Sequence, residues 1–269
     1  MTKFQDRGYL TGQQYSGAQN LAARIRLHER FTVNSVGLYQ WLFDLLLAAA
    51  GSTARVLEVG SGRGDLWLSN RARIPDGWQI TLTDLSDGML ADNRAHLGEL
   101  SARFGYRQAD AAHLPFDDGA FDLIVANYML YHVPDLPAAV RELRRVLAPG
   151  GVLMAATNGH NHMTEINQAV EQSGLMDGAV QLGIMNVRLA FALQDGAVAL
   201  GAAFGDVQRL DFPTELRVTD AQAVIDYVAS MLDDGGTGAL EPLRPIVERH
   251  IARDGAFRIT KETGVFLAR

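Results

Sequence analysis

The sequence contains no cysteine. That absence excludes disulfides, thiol nucleophiles and thiolate-held zinc or iron–sulfur centres. A basic excess is also lacking. Lys and Arg number 24 against 31 Asp and Glu, a net charge of −7, so no nucleic-acid partner bound through phosphate neutralisation is expected. Long apolar runs are missing too. The most apolar early stretch, Trp41 to Ala50, is broken by Asp44 and is far shorter than the roughly 18 residues a membrane-spanning helix needs. The opening residues Met1-Thr2-Lys3-Phe4-Gln5-Asp6 do not resemble the apolar core of a secretory signal. No membrane partner and a cytoplasmic location are the expectations.

What is present fits a folded enzyme-sized chain. The 269 residues are 48% hydrophobic and 20% charged, enough for one full core. Glycine, with 27 residues, is the abundant type, and its placement matters. Helical spacing of Val36, Tyr39, Leu42, Phe43, Leu46 and Leu47 marks a helix over 34–50, after another over 19–31. Short apolar runs then alternate with helical patterns, the mark of βαβ units. Strands are expected at 55–59, 78–83, 104–109, 121–126 and 152–156. Asp135 and Pro137 open a helix whose buried stripe is Leu136, Val140, Leu143 and Leu147, and Pro149-Gly150-Gly151 stops it. Beyond 160 the pattern predicts helices near 162–173, 220–232 and 239–253. It also predicts strands at 206–212 and 216–218, and a terminal hairpin of 256–260 with 264–268. The expected fold is α/β: a Rossmann-like, doubly wound, mostly parallel sheet with a terminal antiparallel hairpin strand. The whole of 1–269 reads as one domain, with an N-terminal helical lid at 1–50 and a cofactor-binding core at 51–159. Substrate-recognition insertions and late strands occupy 160–260, and a last strand 261–269.

Four features carry chemistry. Glu58-Val59-Gly60-Ser61-Gly62-Arg63-Gly64 follows a strand and opens a helix, which brings main chain close to a ligand. Alone this serves dinucleotides equally, but the third glycine of the dinucleotide fingerprint would fall at 65, where Asp65 stands. Asp84 ends the second strand, 24 residues after Gly60. There a carboxylate can accept both hydroxyls of a ribose, or simply sit solvated. Asp110-Ala111 ends the third strand, where an Asp can accept from an exocyclic amine or close an Asx turn. Asn127-Tyr128-Met129-Leu130-Tyr131-His132 follows the fourth strand, at the edge where reacting groups sit.

Together these features resemble the class I S-adenosylmethionine-dependent methyltransferases. The resemblance covers about 50–158 and runs through Val56–Gly64, Asp84–Leu90, Asp110–Phe116 with Phe121-Asp122, and Leu143–Gly151. The Leu114-Pro115-Phe116 and Arg145-Val146-Leu147-Ala148-Pro149-Gly150-Gly151 elements are the specific ones. They look like the small-molecule branch that includes ubiquinone/menaquinone-pathway and natural-product enzymes.

The resemblance implies S-adenosyl-L-methionine as cofactor. Gly60, Ser61, Gly62 and Gly64 would cradle its methionine and ribose, with Glu58 near the amino group. Asp84 would take the ribose hydroxyls, Leu85 and Met89 would line the adenine, and Asp110 with the Ala111 N–H would read the adenine edge. Asn127 would hold the methionyl amine. It further implies methyl transfer to an O, N or C atom of a small-molecule acceptor, by a monomer or homodimer. His132 is the candidate base, with packing at the strand end as the bland alternative. Tyr15, in the N-terminal segment, would sit near the sulfonium. Tyr9, Tyr128, Tyr131, Asn158 and His162 are candidate acceptor contacts, although one of the two tyrosines at 128 and 131 reads as core. His160 and His162 lack a third ligand at metal spacing apart from Glu165, so no metal is expected. Two rivals remain at this level: a non-catalytic S-adenosylmethionine-binding regulator and a nicotinamide-dependent oxidoreductase.

Overall fold

A computed structural model describes residues 18–175, 189–231 and 237–269. Tyr9 and Tyr15 lie outside these residues. The described backbone divides into two compact units, one built around 36–159, 189–212 and 263–269, the other from the remaining segments.

The first of these holds the large sheet. Its elements in chain order are α2 (Leu38–Ala50), β1 (Thr53–Val59), α3 (Asp65–Ser69), β2 (Gly77–Asp84), α4 (Asp87–Leu97), β3 (Phe104–Gln108), β4 (Phe121–Asn127), α5 (Leu136–Val146), β5 (Leu147–Asn158), α7 (Gly196–Gly201), β6 (Val207–Asp211) and β9 (Thr263–Ala268). The strand order is β3-β2-β1-β4-β5-β9-β6. β1 to β5 run parallel, and β9 is antiparallel to both β5 and β6. This is the expected doubly wound sheet. Order reverses between β1 and β4, and in such sheets a crevice for ligands opens at that point beyond the carboxyl ends. β1 and β4 are buried on both faces, so they read as unbroken apolar runs rather than as alternation.

Two apolar layers cover the sheet. On one face lie Leu42, Phe43 and Leu46 of α2 with Trp67, Trp78 and Leu123, and the Phe43 and Trp67 rings meet edge to face at 6.1 Å. On the other, Ala139, Val140, Leu143 and Val146 of α5 pack with Ile124, Leu153 and Phe266. Asp135 caps α5 by accepting from the Ala138 N–H at 2.9 Å. The helix ends at Val146, and Leu147 already belongs to β5. Arg145 shows why two motifs occur together: its guanidinium donates to the carbonyls of Leu114 (2.9 Å) and Phe116 (2.8 Å) and to Glu142. The Leu-Pro-Phe loop is thereby pinned to α5.

The second unit contains α1 (Ala18–Phe31), α6 (Thr164–Gln172), β7 (Thr214–Val218), α8 (Ala221–Ala229), α9 (Arg244–Asp254) and β8 (Phe257–Lys261). β7 and β8 form an antiparallel pair with Leu216 opposite Ile259 and Val218 opposite Phe257. Those four side chains face a core that includes Leu27, Ile166, Val224, Val228 and Val247.

The last strand is antiparallel, as expected, but the predicted pairing of 256–260 with 264–268 does not form. β8 pairs with β7, while β9 threads between β5 and β6. Gly264, Val265, Phe266, Leu267 and Ala268 are all buried, and a strand so apolar on both faces gains more inside a sheet than on a two-stranded ribbon. Local spacing could not distinguish the two.

Candidate functional site

Parallel pairing sets the carboxyl ends of β1, β2 and β4 along one edge, and the candidate residues gather there. The glycine loop after β1 needs its glycines for different reasons. Gly60, Gly62 and Gly64 all have positive φ, at +68°, +51° and +80°. A Cβ on Gly60 would also lie 2.8 Å from the Cβ of Met129, whereas one on Gly62 would meet nothing within 4 Å. Gly60 therefore serves close packing with the segment after β4, and Gly62 keeps an open main-chain surface. The loop is laced to β2: the Ser61 N–H donates to the Thr83 carbonyl at 2.8 Å and the Gly62 N–H to Asp84 Oδ2 at 3.2 Å.

Asp84 also accepts the Ser86 N–H on Oδ1 at 3.1 Å. Burial raises its pKa, against these main-chain donors that lower it. Each carboxylate oxygen keeps further acceptor capacity. Ser86 caps α4 by accepting from the Met89 N–H at 3.2 Å, which places Leu85 and Met89 beside Asp84.

Glu58 is buried, 3% exposed, and its Oε2 accepts the indole N–H of Trp67 at 2.6 Å. Burial, then the charges of Asp84 and Asp65, push its pKa up to about 8, although the Trp67 hydrogen bond opposes this. Asn127, at the end of β4, is more telling. Both its side-chain Oδ1 and Nδ2 are buried with no hydrogen-bond partner. A primary amide in that condition costs about 1–3 kcal/mol per group unless a polar partner meets it.

The remaining candidates are placed as follows. Asp110 Oδ1 accepts the Ala112 N–H at 3.0 Å in a local turn, and Ala111 is buried. Tyr128 has φ +55°, and its hydroxyl shares a 2.8 Å hydrogen bond with Thr263 Oγ1. Burial pushes its pKa up to about 12. Tyr131 packs on the core, and its ring lies 4.4 Å from that of His132 in the short turn Leu130–His132. The Asn158 carbonyl accepts the Leu193 N–H. His162 belongs to the other unit. Among the described residues, no group of three or more His, Asp or Glu is arranged to hold a metal ion.

Two contributors escaped the sequence reading. Asn93 is fully buried and donates to the Gly62 carbonyl at 2.9 Å while accepting from the Tyr106 hydroxyl at 3.2 Å. The signal was available: Asn93 lies on the inward stripe of α4 with Leu90 and Leu97, where a polar residue needs a partner. Tyr39 read as part of an apolar stripe. Burial of its phenol, and after it the charges of Asp65, Tyr128 and Glu58, raise its pKa.

Comparisons with known proteins show what the chain is similar to. Residues 57–155 match the family model described as a methyltransferase domain. The ubiquinone/menaquinone biosynthesis C-methyltransferase UbiE of Shewanella woodyi is 36% identical over 131 residues, 48% of this chain and 47% of that protein. The malonyl-[acyl-carrier protein] O-methyltransferase of Erwinia pyrifoliae is 38% identical over 127 residues, 47% of this chain and 46% of that protein. The chain thus spans about half the length of the curated relatives it matches. Among solved structures, phosphoethanolamine N-methyltransferase 2 of Haemonchus contortus with S-adenosyl-L-methionine shares the fold. The TM-score is 0.58 at 19% identity, over 100% of this chain and 60% of that one. The core of the chain is similar to methyltransferases.

Proposed function

We propose that the chain binds S-adenosyl-L-methionine and transfers its methyl group to an O, N or C atom of a small-molecule acceptor. The observation that carries this reading is Asn127: a buried amide with no partner of its own, at the β1–β4 switch point, beside a glycine loop and two carboxylates. The residues suit that cofactor. The open main chain at Gly62 admits a ligand, Asp84 can accept the ribose hydroxyls, and the Asn127 amide carbonyl can accept from an ammonium. Glu58 and Asp84 supply negative charge where a cation is to be held. A cation beside Glu58 offsets the repulsion from Asp84 and Asp65 and draws its pKa down from about 8. Leu85, Met89, Asp110 and Ala111 complete the adenine side in this reading.

When bound, the cofactor supplies an electrophilic methyl on a sulfonium, and in-line displacement from it depends mainly on positioning and exclusion of water. His132 is the base in this reading, holding the proton that a hydroxyl or ammonium acceptor must lose. Tyr131 fixes that ring by packing against it. Tyr128 supports the site through its Thr263 hydrogen bond. Asn158 stands as an acceptor-side contact, as does Tyr9 by the resemblance, and Tyr15 stands with His132 among the catalytic groups, near the sulfonium.

The test is calorimetric titration with S-adenosylhomocysteine and with NADH, followed by labelled-methyl transfer to a panel of phenols, amines and indoles. Binding of S-adenosylhomocysteine and transfer to one acceptor class are expected. Binding of NADH alone overturns the reading, and cofactor binding without transfer to any acceptor reduces it to a binding protein.

A further inference from the structure

The second unit holds a polar cluster that its own fold does not explain. β8 alternates Phe257 in, Arg258 out, Ile259 in, Thr260 out. Lys261 continues on the inward side, where the pattern otherwise places apolar residues. Its ammonium makes no hydrogen bond or ion pair with any described residue, and burial alone draws its pKa down to about 8. Two histidines come to the same place. The segment carrying His162 is fastened to β8 on both sides of Lys261: the Met163 N–H donates to the Thr260 carbonyl at 2.9 Å, and the Asn161 N–H donates to Glu262 Oε2 at 2.8 Å. The His28 ring on α1 lies 6.4 Å from that of His162 and 6.2 Å from that of Tyr227 on α8.

Both imidazoles carry a buried Nδ1 with no hydrogen-bond partner. Burial, followed by the charge of Lys261, holds His28 well below its usual range and His162 down to about 3, so both rings are neutral. The main chain of Glu262 hydrogen bonds to His162 in the sense that favours its protonated form. In the tautomer that donates there through Nε2, the partnerless Nδ1 is a buried lone pair. A half-buried ammonium with no anion among the described residues and a buried lone pair without a donor are each costly. One ligand satisfies both if it bears an anionic oxygen beside a hydroxyl.

We propose that Lys261, His162 and His28 form a binding site for a small hydroxy-carboxylate, with the carboxylate on Lys261 and the hydroxyl donating to His162 Nδ1. Binding at this site does not rest on the transferase reading.

The experiment follows the His28 and His162 imidazole signals by NMR in the full chain during titration with salicylate, benzoate and salicylamide. Saturable shifts of both rings with salicylate are expected, with benzoate at least tenfold weaker for want of the hydroxyl and salicylamide at least tenfold weaker for want of the charge. Lys261→Met is expected to weaken salicylate at least tenfold while leaving S-adenosylhomocysteine affinity within twofold. No saturable shift, or salicylamide as tight as salicylate, overturns the site. Benzoate as tight as salicylate overturns the role of His162 Nδ1. Undiminished salicylate binding in Lys261→Met removes the lysine. The probe comparison uses the unaltered chain, so it decides the question even if that variant does not fold. Failure of S-adenosylhomocysteine to bind the unaltered chain would overturn the transferase reading while leaving the salicylate result to judge this site.

Discussion

Glu58→Gln separates the stability of the core from its ligand chemistry. In the folded chain Glu58 titrates near 8 against an ordinary 4.5, because it is buried and faces Asp84 and Asp65. The native state therefore holds a proton that the unfolded chain has already released. Where the folded pKa is the higher one, stability is fullest below the unfolded value and declines as pH rises toward the folded value. The window here runs from 4.5 to about 8, and above it the loss is complete. At ~1.4 kcal/mol per pH unit the ceiling is on the order of 5 kcal/mol, a large share of a typical domain's total stability. Glutamine keeps an oxygen to accept the Trp67 N–H and cannot ionise. Urea denaturation of both proteins at about pH 5 and about pH 9 gives two differences in unfolding free energy. Their change with pH is the readout, since any fixed cost of the extra amide N–H groups cancels. The variant should gain about 2–5 kcal/mol relative to wild type between the two conditions. A difference that stays flat within about 0.5 kcal/mol refutes the account of Glu58 as a buried, largely protonated acid. The same reasoning fixes a sign for ligand binding near neutral pH. A cation beside Glu58 should expel up to about one proton, read as a dependence of S-adenosylmethionine binding enthalpy on the ionisation heat of the buffer, and lost in the variant.

Three further outcomes follow from the geometry. Asn127→Ala removes buried atoms that have no partner, so the ligand-free melting temperature should hold or rise while S-adenosylhomocysteine affinity falls about 10- to 100-fold; a lower melting temperature with unchanged affinity would make Asn127 a structural residue. Gly60→Ala should destabilise by about 2–3 kcal/mol against about 1 kcal/mol for Gly62→Ala, because both suffer positive φ but only the former drives a Cβ into Met129; equal costs would show that the contact relaxes freely. His132→Ala should lower kcat far more than cofactor affinity if the ring takes the acceptor's proton, and unchanged turnover would remove it from the mechanism.

The motif residues were legible because their demands are local. A strand entering a glycine loop, a carboxylate at the end of the next strand and an Asp-Pro helix start each depend on a few neighbours, so Gly60, Gly62, Asp84 and Asp135 could be placed from local pattern, while the roles of Glu58 and Asn127 came from the family resemblance. Asn93 and Arg145 could be located on the pattern, but their partners could not, because those depend on which backbone carbonyls arrive beside them from distant loops. Tyr39 resembled any aromatic on an apolar stripe, since spacing records which face a residue occupies and not which charges lie across from it.

By itself, then, the sequence determined the order of the first five strands and the helices between them, the parallel sheet and the character of the residues at its carboxyl edge. Hydrophobic period and turn chemistry act over a few residues and leave their record in the chain. Only the tertiary structure decided that β8 pairs with β7 while β9 enters the large sheet, since apolar strands of similar length have no local preference between partners. The same holds for the assembly of His28, His162 and Lys261. They are drawn from α1, the segment before α6 and the end of β8, and their shared burial arises from packing among elements more than 90 residues apart in sequence, to which no spacing rule extends.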